Sequence, residues 1–366
     1  MKRSRSSHKV APDLVHKDCR TPRKPFVHAV SQNSHTQIRR RHILRKNTTC
    51  LAILALGSAL SLPAHALNIV VSNDDGLTSN VKALYDALKG AGHDVIVSVP
   101  CTQQSGRGGG VVMYSTDKLV ATQDADITKN GGCRNGAAKT GEPSVGAMTR
   151  SGYDNGDWYY AHGTPVMALM YGLDVPAAKR WGKAPDLVVS GPNEGSNVGG
   201  LNITSGTIGI TQFALIRSIP AMAFSVSSNA IDDTNLANPQ SQTAANLTLK
   251  LIQSLNAQRT STGILPKGVA LNVNFPSNFS ATSTFAFSRI GTFNLYELGF
   301  QSTAPYGYRL ATRNDPAKAT AEQKEDESVV ISDRISVVAM QLAFDHRPAA
   351  QEWLRMKMDT VNTTKP

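Results

Sequence analysis

From residue 68 onward, short and almost uninterrupted apolar runs alternate with stretches whose apolar residues recur every three or four positions. Asn68-Ile69-Val70-Val71-Ser72 has the β-branched density of a buried strand and runs into the polar turn Asn73-Asp74-Asp75-Gly76. Val81, Leu84, Tyr85 and Leu88 follow at helical spacing, and Gly90 and Gly92 close that segment. Residues 93–99 form a second strand, apolar at Val95, Ile96, Val97 and Val99 and ended by Pro100. Strand, helix and strand in that order predict the start of a parallel sheet. Neither strand alternates regularly with polar residues, so helices are expected on both sheet faces.

The region 101–157 is rich in Gly, Ser, Thr and Asn and weakly periodic, which reads as long loops with one or two short strands such as 111–115. The sheet pattern then returns. A helix is expected after Gly163-Thr164-Pro165, with the proline in its first turn. Strands are expected over 186–190, 219–226 and 268–275, and helices over 207–217 and about 242–255. Hairpin-like segments reach to about 344, and a short helix near 352–358 ends the chain. No internal repeat is visible.

Charge changes the picture once it is divided along the chain. Residues 1–66 hold 13 of the 38 Lys and Arg and 2 of the 27 Asp and Glu, a balance of +11; the other 300 residues hold 25 of each. The basic character belongs to the leader, so the folded part has no net attraction for a nucleic-acid polymer. Within that leader a basic stretch, Arg39 through Lys46, precedes an apolar run from Leu51 to Leu62 and then Ala64-His65-Ala66. That order is the signature of a secretory signal peptide cleaved after about Ala66. The apolar run is shorter than the ~20 residues of a spanning helix, so no stable membrane anchor is expected. The pair Arg40-Arg41 also fits a twin-arginine signal, and the expected location is periplasmic or secreted. Cys19 and Cys50 fall in the leader; Cys101 and Cys133 remain, and in an oxidising compartment they can pair, although sequence alone does not fix their proximity.

Three loops leave carboxyl ends of predicted parallel strands, where such sheets bind ligands. Asp74 and Asp75 are adjacent carboxylates that repel unless a cation compensates, and a hard divalent ion prefers oxygen ligands. A solvated turn with one Asp capping the next helix would use the same residues. Gln104-Ser105-Gly106-Arg107-Gly108-Gly109-Gly110 can turn backbone N–H groups and one guanidinium toward an anion, or can be a plain flexible loop. The third segment runs from Ser190-Gly191-Pro192-Asn193 to Thr204-Ser205-Gly206-Thr207, where hydroxyls open a helix. That is a natural phosphate cradle, and Ser205 or Thr207 can equally serve as an ordinary cap.

Together these segments resemble the survival protein SurE family of metal-dependent nucleotidases. The matching text is NIVVSNDDG (68–76), GHDVIVSVPCTQQSG (92–106), GTP (163–165), PDLVVSGPNEGSNVG (185–199), SGTIG (205–209), IPAMAFS (219–225) and GVALNVNFP (268–276). The resemblance implies one divalent ion, Mg²⁺ or Mn²⁺, held by Asp74, Asp75, Ser105 and Asn193, with Asp74 and Asp75 as the catalytic pair. It implies a phosphate site at Ser205, Gly206 and Thr207 with Asn73 beside them. It implies an α/β fold: a Rossmann-like, mostly parallel sheet with helices on both faces over 67–276, and an extended C-terminal β-hairpin and helix region over 277–366. That extension suits a homodimer or homotetramer, and the implied substrates are nucleoside monophosphates and related phosphomonoesters.

The chain departs from the family pattern at several points. Cys101 stands where Asp is common, Val166-Met167-Ala168 follows the GTP turn in place of a small-Asp-Cys run, and Pro192 replaces Ile. Arg107 and three glycines extend the QSG loop, and the segment 116–160 is longer than expected. These changes leave the four metal positions intact and bear on substrate choice. His162 is a further candidate acid beside the Gly163 turn, although a lone histidine is more often structural. A dehalogenase-type phosphatase needs Asp-x-Asp, which the adjacent pair does not supply. An exported nucleotide-binding protein without catalysis is the alternative from another class.

Overall fold

The computed structural model describes residues 65–114, 117–119, 132–226, 233–303, 307–342 and 348–363. The expected signal peptide, apart from His65 and Ala66, lies outside them, as does Ser115 of the strand expected at 111–115. Within that expected strand, Met113 makes a single antiparallel bridge to Gly163.

The strand–helix rhythm folds into one nine-stranded sheet. In chain order its strands are β1 (Asn68–Ser72), β2 (Asp94–Pro100), β3 (Val145–Ala147), β4 (Trp158–Ala161), β5 (Leu187–Glu194), β6 (Ala221–Val226), β7 (Val269–Asn274), β8 (Phe285–Ser288) and β11 (Ile335–Gln341). Across the sheet the order is β3-β4-β2-β1-β5-β6-β7-β11-β8. The six central strands, β4 to β7 in that order, are parallel, whereas β3 and β11 run antiparallel to β4 and β7. Strands β9 (Tyr296–Thr303) and β10 (Gly307–Arg313) form a separate antiparallel hairpin. The segment after 276 therefore supplies two strands to the main sheet as well as this hairpin and the last helix.

Alternate residues of each buried strand enter opposite cores. Ile69, Val71, Val95, Val97, Leu187, Val189, Met222 and Phe224 face one side, where they meet Val81, Leu84 and Leu88 of α1 (Ser79–Gly90) and Ala244, Leu247 and Ile252 of α5 (Pro239–Ala257). Val70, Ile96, Val188, Ala221 and Ala223 face the other, against α2 (Pro165–Gly172) and α4 (Gly206–Ile216). Both faces exclude water, which is why these strands read as continuous apolar runs. Between α2 and α4 in sequence, one π-turn (Leu173–Ala177) leads into the short helix α3 (Ala178–Trp181).

Local differences from the sequence expectation have physical causes. β3 has three residues, Val-Gly-Ala, too few to display alternation. β5 was expected to stop at Ser190 but continues to Glu194 through a register shift, three of its residues spanning two of β6. Gly191 makes this possible: its φ is +103°, and a Cβ there would lie 2.2 Å from the Phe224 carbonyl oxygen of β6. Helix α5 starts at Pro239, ahead of its first buried apolar residue, because Asn238 Oδ1 accepts the Gln240 N–H at 2.9 Å and Pro239 presets the first turn. The last helices are α6 (Glu327–Val330) and α7 (Pro348–Thr363), the latter extending beyond the expected 352–358 and exposing Trp353, Leu354, Met356 and Met358. No helix of the described residues is long and apolar enough to cross a membrane.

Candidate active site

The sheet changes direction at β1. Its partner on one side is β2 and on the other β5, and the helices that follow β1 and β5, α1 and α4, pack on opposite faces. Their connecting loops diverge and leave a crevice at the carboxyl ends of β1 and β5, the place where open parallel sheets hold ligands. Every sequence-predicted site residue comes from a loop, strand end or helix start at this edge.

Asp74 turns toward α4. Its Oδ1 accepts a 2.7 Å hydrogen bond from Thr207 Oγ1, and it is almost fully buried. Gly206 fits beneath it only because it lacks a side chain: a Cβ there would sit 2.7 Å from Asp74 Cβ and 2.8 Å from Pro165 Cγ. Asp75 turns toward the end of β5, where the Glu194 N–H donates to Oδ2 at 2.9 Å. Its other oxygen, Oδ1, is buried without a hydrogen-bond partner, and so is Oδ1 of Asn193, whose Nδ2 donates to the Gly195 carbonyl at 2.7 Å. Burial pushes the Asp74 carboxyl above its ordinary value despite the Thr207 bond. Burial, then the charges of Asp74 and Glu194, push Asp75 well above its own.

Ser105 lies on an exposed loop tied to both neighbours. The Gln104 N–H donates to the Asp74 carbonyl at 2.6 Å, the Gly108 N–H donates to the Thr204 carbonyl at 2.9 Å, and Ser105 Oγ accepts from Gln103 Nε2 at 2.8 Å. Ser205 caps α4, its Oγ accepting the Ile208 N–H at 3.1 Å. The Asn73 amide closes its own turn, with Oδ1 accepting the Gly76 N–H at 3.1 Å and Nδ2 donating to the Gly76 carbonyl at 2.8 Å. Arg107 stacks over Tyr114, its guanidinium carbon 5.8 Å from the ring centroid, and His162 packs its ring 5.7 Å from the same tyrosine.

Apart from the Cys101–Cys133 pair, whose bridge the sequence left open, sequence reasoning missed the groups that hold these residues in place. Arg134 Nη1 donates to the Asp75 carbonyl at 2.7 Å, while Nη2 reaches Glu194 and Asp233, each at 3.0 Å. Burial works against the Arg134 charge, yet Glu194, Asp233 and Asp75 outweigh it and hold the guanidinium above its ordinary value. Cys101 and Cys133 form a disulfide with their Cα atoms 4.5 Å apart, immediately before Arg134. Behind Thr207 lies an amide network: Asn197 Nδ2 donates to Thr207 Oγ1 and Ser225 Oγ, and the Asn197 carbonyl accepts from Asn272 and Asn274. Asn272 also donates to Glu327 Oε2 at 2.8 Å. The alternation of Asn272 and Asn274 within an apolar strand was the available signal, since two amides on one buried face must be paired.

Glu327 carries a pH prediction. Burial, reinforced by the charge of Asp326, raises its pKa to about 7 from 4.5, although Gly199, Asn202 and Asn272 donate to it. The folded chain thus takes up a proton that the unfolded chain releases, so this group's stabilisation is complete below pH 4.5 and is lost as pH rises through about 7. Glu327→Gln is expected to remove that slope from the unfolding free energy; a wild-type-minus-variant difference that stays flat from pH 5 to 7.5 in denaturant melts would contradict it.

Residues 69–297 match the family described as Survival protein SurE. The chain belongs to the SurE family. An acid phosphatase of Yarrowia lipolytica is 37% identical over 217 residues, 57% of this chain and 56% of that protein. A 5'-nucleotidase SurE of Desulfovibrio desulfuricans is 30% identical over 58% of this chain and 67% of its own length. A 5'-nucleotidase SurE of Cyanothece is 27% identical over 80% of this chain and 98% of its own. The crystal structure of the SurE protein from Aquifex aeolicus superimposes with a TM-score of 0.55 at 22% identity, covering 79% of this chain and 99% of that one. That likeness gives the SurE fold to the nine-stranded sheet, in agreement with the α/β reading of the sequence.

The donor chemistry of the crevice suits a hard cation. Two buried carboxylates, one amide oxygen and a neighbouring hydroxyl are all oxygen donors, the set preferred by Mg²⁺ or Mn²⁺ over softer metals. Among the described residues no group of three or more His, Cys, Asp or Glu side chains is arranged to hold a metal, so an ion at this crevice would have to draw on amide and hydroxyl oxygens beside the two carboxylates.

Proposed function

We propose that this SurE-family chain is a divalent-metal-dependent phosphomonoesterase acting on nucleoside monophosphates and related esters. The observation that carries the reading is the pair of buried, unpartnered oxygens, Asp75 Oδ1 on the loop after β1 and Asn193 Oδ1 at the end of β5. A buried acceptor without a donor costs about 1–3 kcal/mol, more when charged, and a cation removes that cost. Asp74, Asp75, Asn193 and Ser105 would hold one Mg²⁺ or Mn²⁺, which when bound neutralises phosphoryl charge and lowers the pKa of water. The names of the Yarrowia and Desulfovibrio relatives support the same chemistry.

The chain's own residues do the rest. Helix α4 points its N-terminus at the crevice, and the first N–H groups of a helix lack intrahelical acceptors, which favours a phosphoryl oxygen there. Ser205 caps that turn through the Ile208 N–H, Gly206 opens it without a side chain in the way, Thr207 orients Asp74, and Asn73 keeps the acid loop closed. One of Asp74 and Asp75 orients the attacking water and accepts its proton as the new P–O bond forms, and a proton passes to the leaving ester oxygen as its P–O bond breaks. Export to an oxidising compartment, supported by the leader pattern and by the Cys101–Cys133 disulfide, would present the site to extracytoplasmic phosphate esters. A homo-oligomer is supported by apolar surface on the hairpin and last helix, at Leu298, Phe300, Trp353 and Met356.

The test is phosphate release from AMP and p-nitrophenyl phosphate by purified mature chain. Activity is expected to vanish in EDTA and to return with excess Mn²⁺ or Mg²⁺. Equal release with and without chelator would remove the metal from the account, and no release under any metal would remove the enzyme.

A further inference from the structure

We propose that Arg134 is the positioning residue of the metal loop, held in place by the Cys101–Cys133 disulfide and required for tight metal binding. This rests on the function proposed above. The guanidinium touches no predicted metal donor atom, yet it grips both chain segments whose oxygens must converge. Nη1 takes the backbone carbonyl of Asp75 at 2.7 Å, and Nη2 takes the Glu194 carboxylate at 3.0 Å. The Glu194 N–H in turn holds Asp75 Oδ2 at 2.9 Å, and Glu194 directly follows Asn193. A closed ring of contacts therefore runs from Arg134 to the Asp75 backbone, along its side chain to Glu194, and back to Arg134. The ring fixes Asp75 from both ends and leaves Oδ1 as its free donor atom.

The geometry requires this residue type. One planar fork spans a carbonyl and two carboxylates, a reach that a lysine ammonium does not reproduce. The side chain is 16% exposed, so its partners would be left with poorly hydrated negative charge in its absence. The backbone is fastened as firmly. The Arg134 N–H donates to the Cys101 carbonyl at 2.8 Å, beside the disulfide that joins Cys101 to Cys133. Asn135 Nδ2 donates to the Leu77 carbonyl at 2.8 Å and to Asp233 at 3.1 Å, and Gly76 lies close enough that a Cβ would be 3.5 Å from Arg134 Cβ. The disulfide thus ties the end of β2 to the turn that carries the guanidinium. Both cysteines are buried in the hydrophobic core, and they act through Arg134.

Groups that orient metal ligands from behind typically change metal affinity by about 10- to 100-fold when removed. Mn²⁺ titration calorimetry on the purified chain is the test, with folding followed by circular dichroism. Arg134→Ala and Arg134→Lys are both expected to weaken Mn²⁺ binding at least about tenfold, and added guanidinium ion is expected to restore part of it in Arg134→Ala only. At saturating Mn²⁺ the KM for AMP should stay within about twofold, because the loss lies in metal positioning rather than substrate contact. Cys101→Ala/Cys133→Ala should weaken Mn²⁺ in the same direction, whereas Arg217→Ala, which removes an exposed ion pair to Asp174 elsewhere, should not. Wild-type Mn²⁺ affinity in folded Arg134→Lys or Arg134→Ala would overturn the proposal while leaving the proposed function standing. A wild-type chain that binds neither Mn²⁺ nor Mg²⁺ would overturn both.

Discussion

Asp75→Asn is expected to lower turnover of AMP by about 10³-fold at saturating Mn²⁺ while the apo chain melts at the same or a higher temperature. The two halves of this result have one cause. Asp75 is fully buried, and its charge is opposed by burial and by the neighbouring charges of Asp74 and Glu194. Without a cation, the neutral amide relieves that opposition and keeps an acceptor for the Glu194 N–H. With a cation, the amide lacks the negative charge that holds the ion and cannot accept a proton from the attacking water, a loss of about 4 kcal/mol, or about 10³-fold in rate. Phosphate-release kinetics and a thermal melt of the metal-free protein check both halves. Unchanged turnover would take Asp75 out of the mechanism, and a large drop in apo stability would show that its role is structural.

The second large effect belongs to a residue with no side chain. Gly206→Ala is expected to destabilise the fold by about 1–3 kcal/mol and to cut activity more than stability alone explains. The added methyl meets Asp74 Cβ at 2.7 Å on one side and Pro165 Cγ at 2.8 Å on the other, so neither can yield without disturbing an element it anchors. Pro165 starts α2, and Asp74 is fixed to α4 by Thr207. If Asp74 gives way, its alignment with Asp75 is lost even in molecules that remain folded. Denaturant melts and kcat measured well below the melting transition separate the two losses. A variant with normal stability and normal kcat would show that the crevice is roomier than the contacts indicate.

Much of this was legible in the chain itself, for reasons that particular residues make clear. Ile69, Val70 and Val71 announce a strand buried on both faces, and Val81, Leu84 and Leu88 announce a helix, because solvent exclusion leaves a periodic trace. Asp74, Asp75, Asn193, Ser205 and Thr207 stood out as polar residues in short segments at strand ends or helix starts, and the fold brings Thr207 onto Asp74 and Glu194, next to Asn193, onto Asp75. Their roles came from the family resemblance. Arg134 was not readable. It belongs to a stretch without periodicity, and its partners Asp75, Glu194 and Asp233 are 59, 60 and 99 residues away. Glu194 lay in plain view within the motif, but its backbone N–H, which sequence does not distinguish, makes the contact with Asp75. The continuation of β5 past Gly191-Pro192 was hidden for a different reason: glycine and proline ordinarily mark a stop, and here they form a bulge against β6. Cys101 and Cys133 showed that a bridge was available, and only the fold brought their Cα atoms to 4.5 Å.

The central claim is that oxygens from the loop after β1 and the end of β5 share one cation at the switch in strand order. Anomalous diffraction from Mn²⁺-soaked crystals tests it most directly, with Asp75→Asn crystals treated in parallel. The wild type is expected to show one strong peak within direct coordination distance of Asp74, Asp75 Oδ1 and Asn193 Oδ1, and the variant to lose most of it. A crevice without a peak at full soak, or a peak bound elsewhere with Asp75 Oδ1 and Asn193 Oδ1 turned to other partners, would contradict the account.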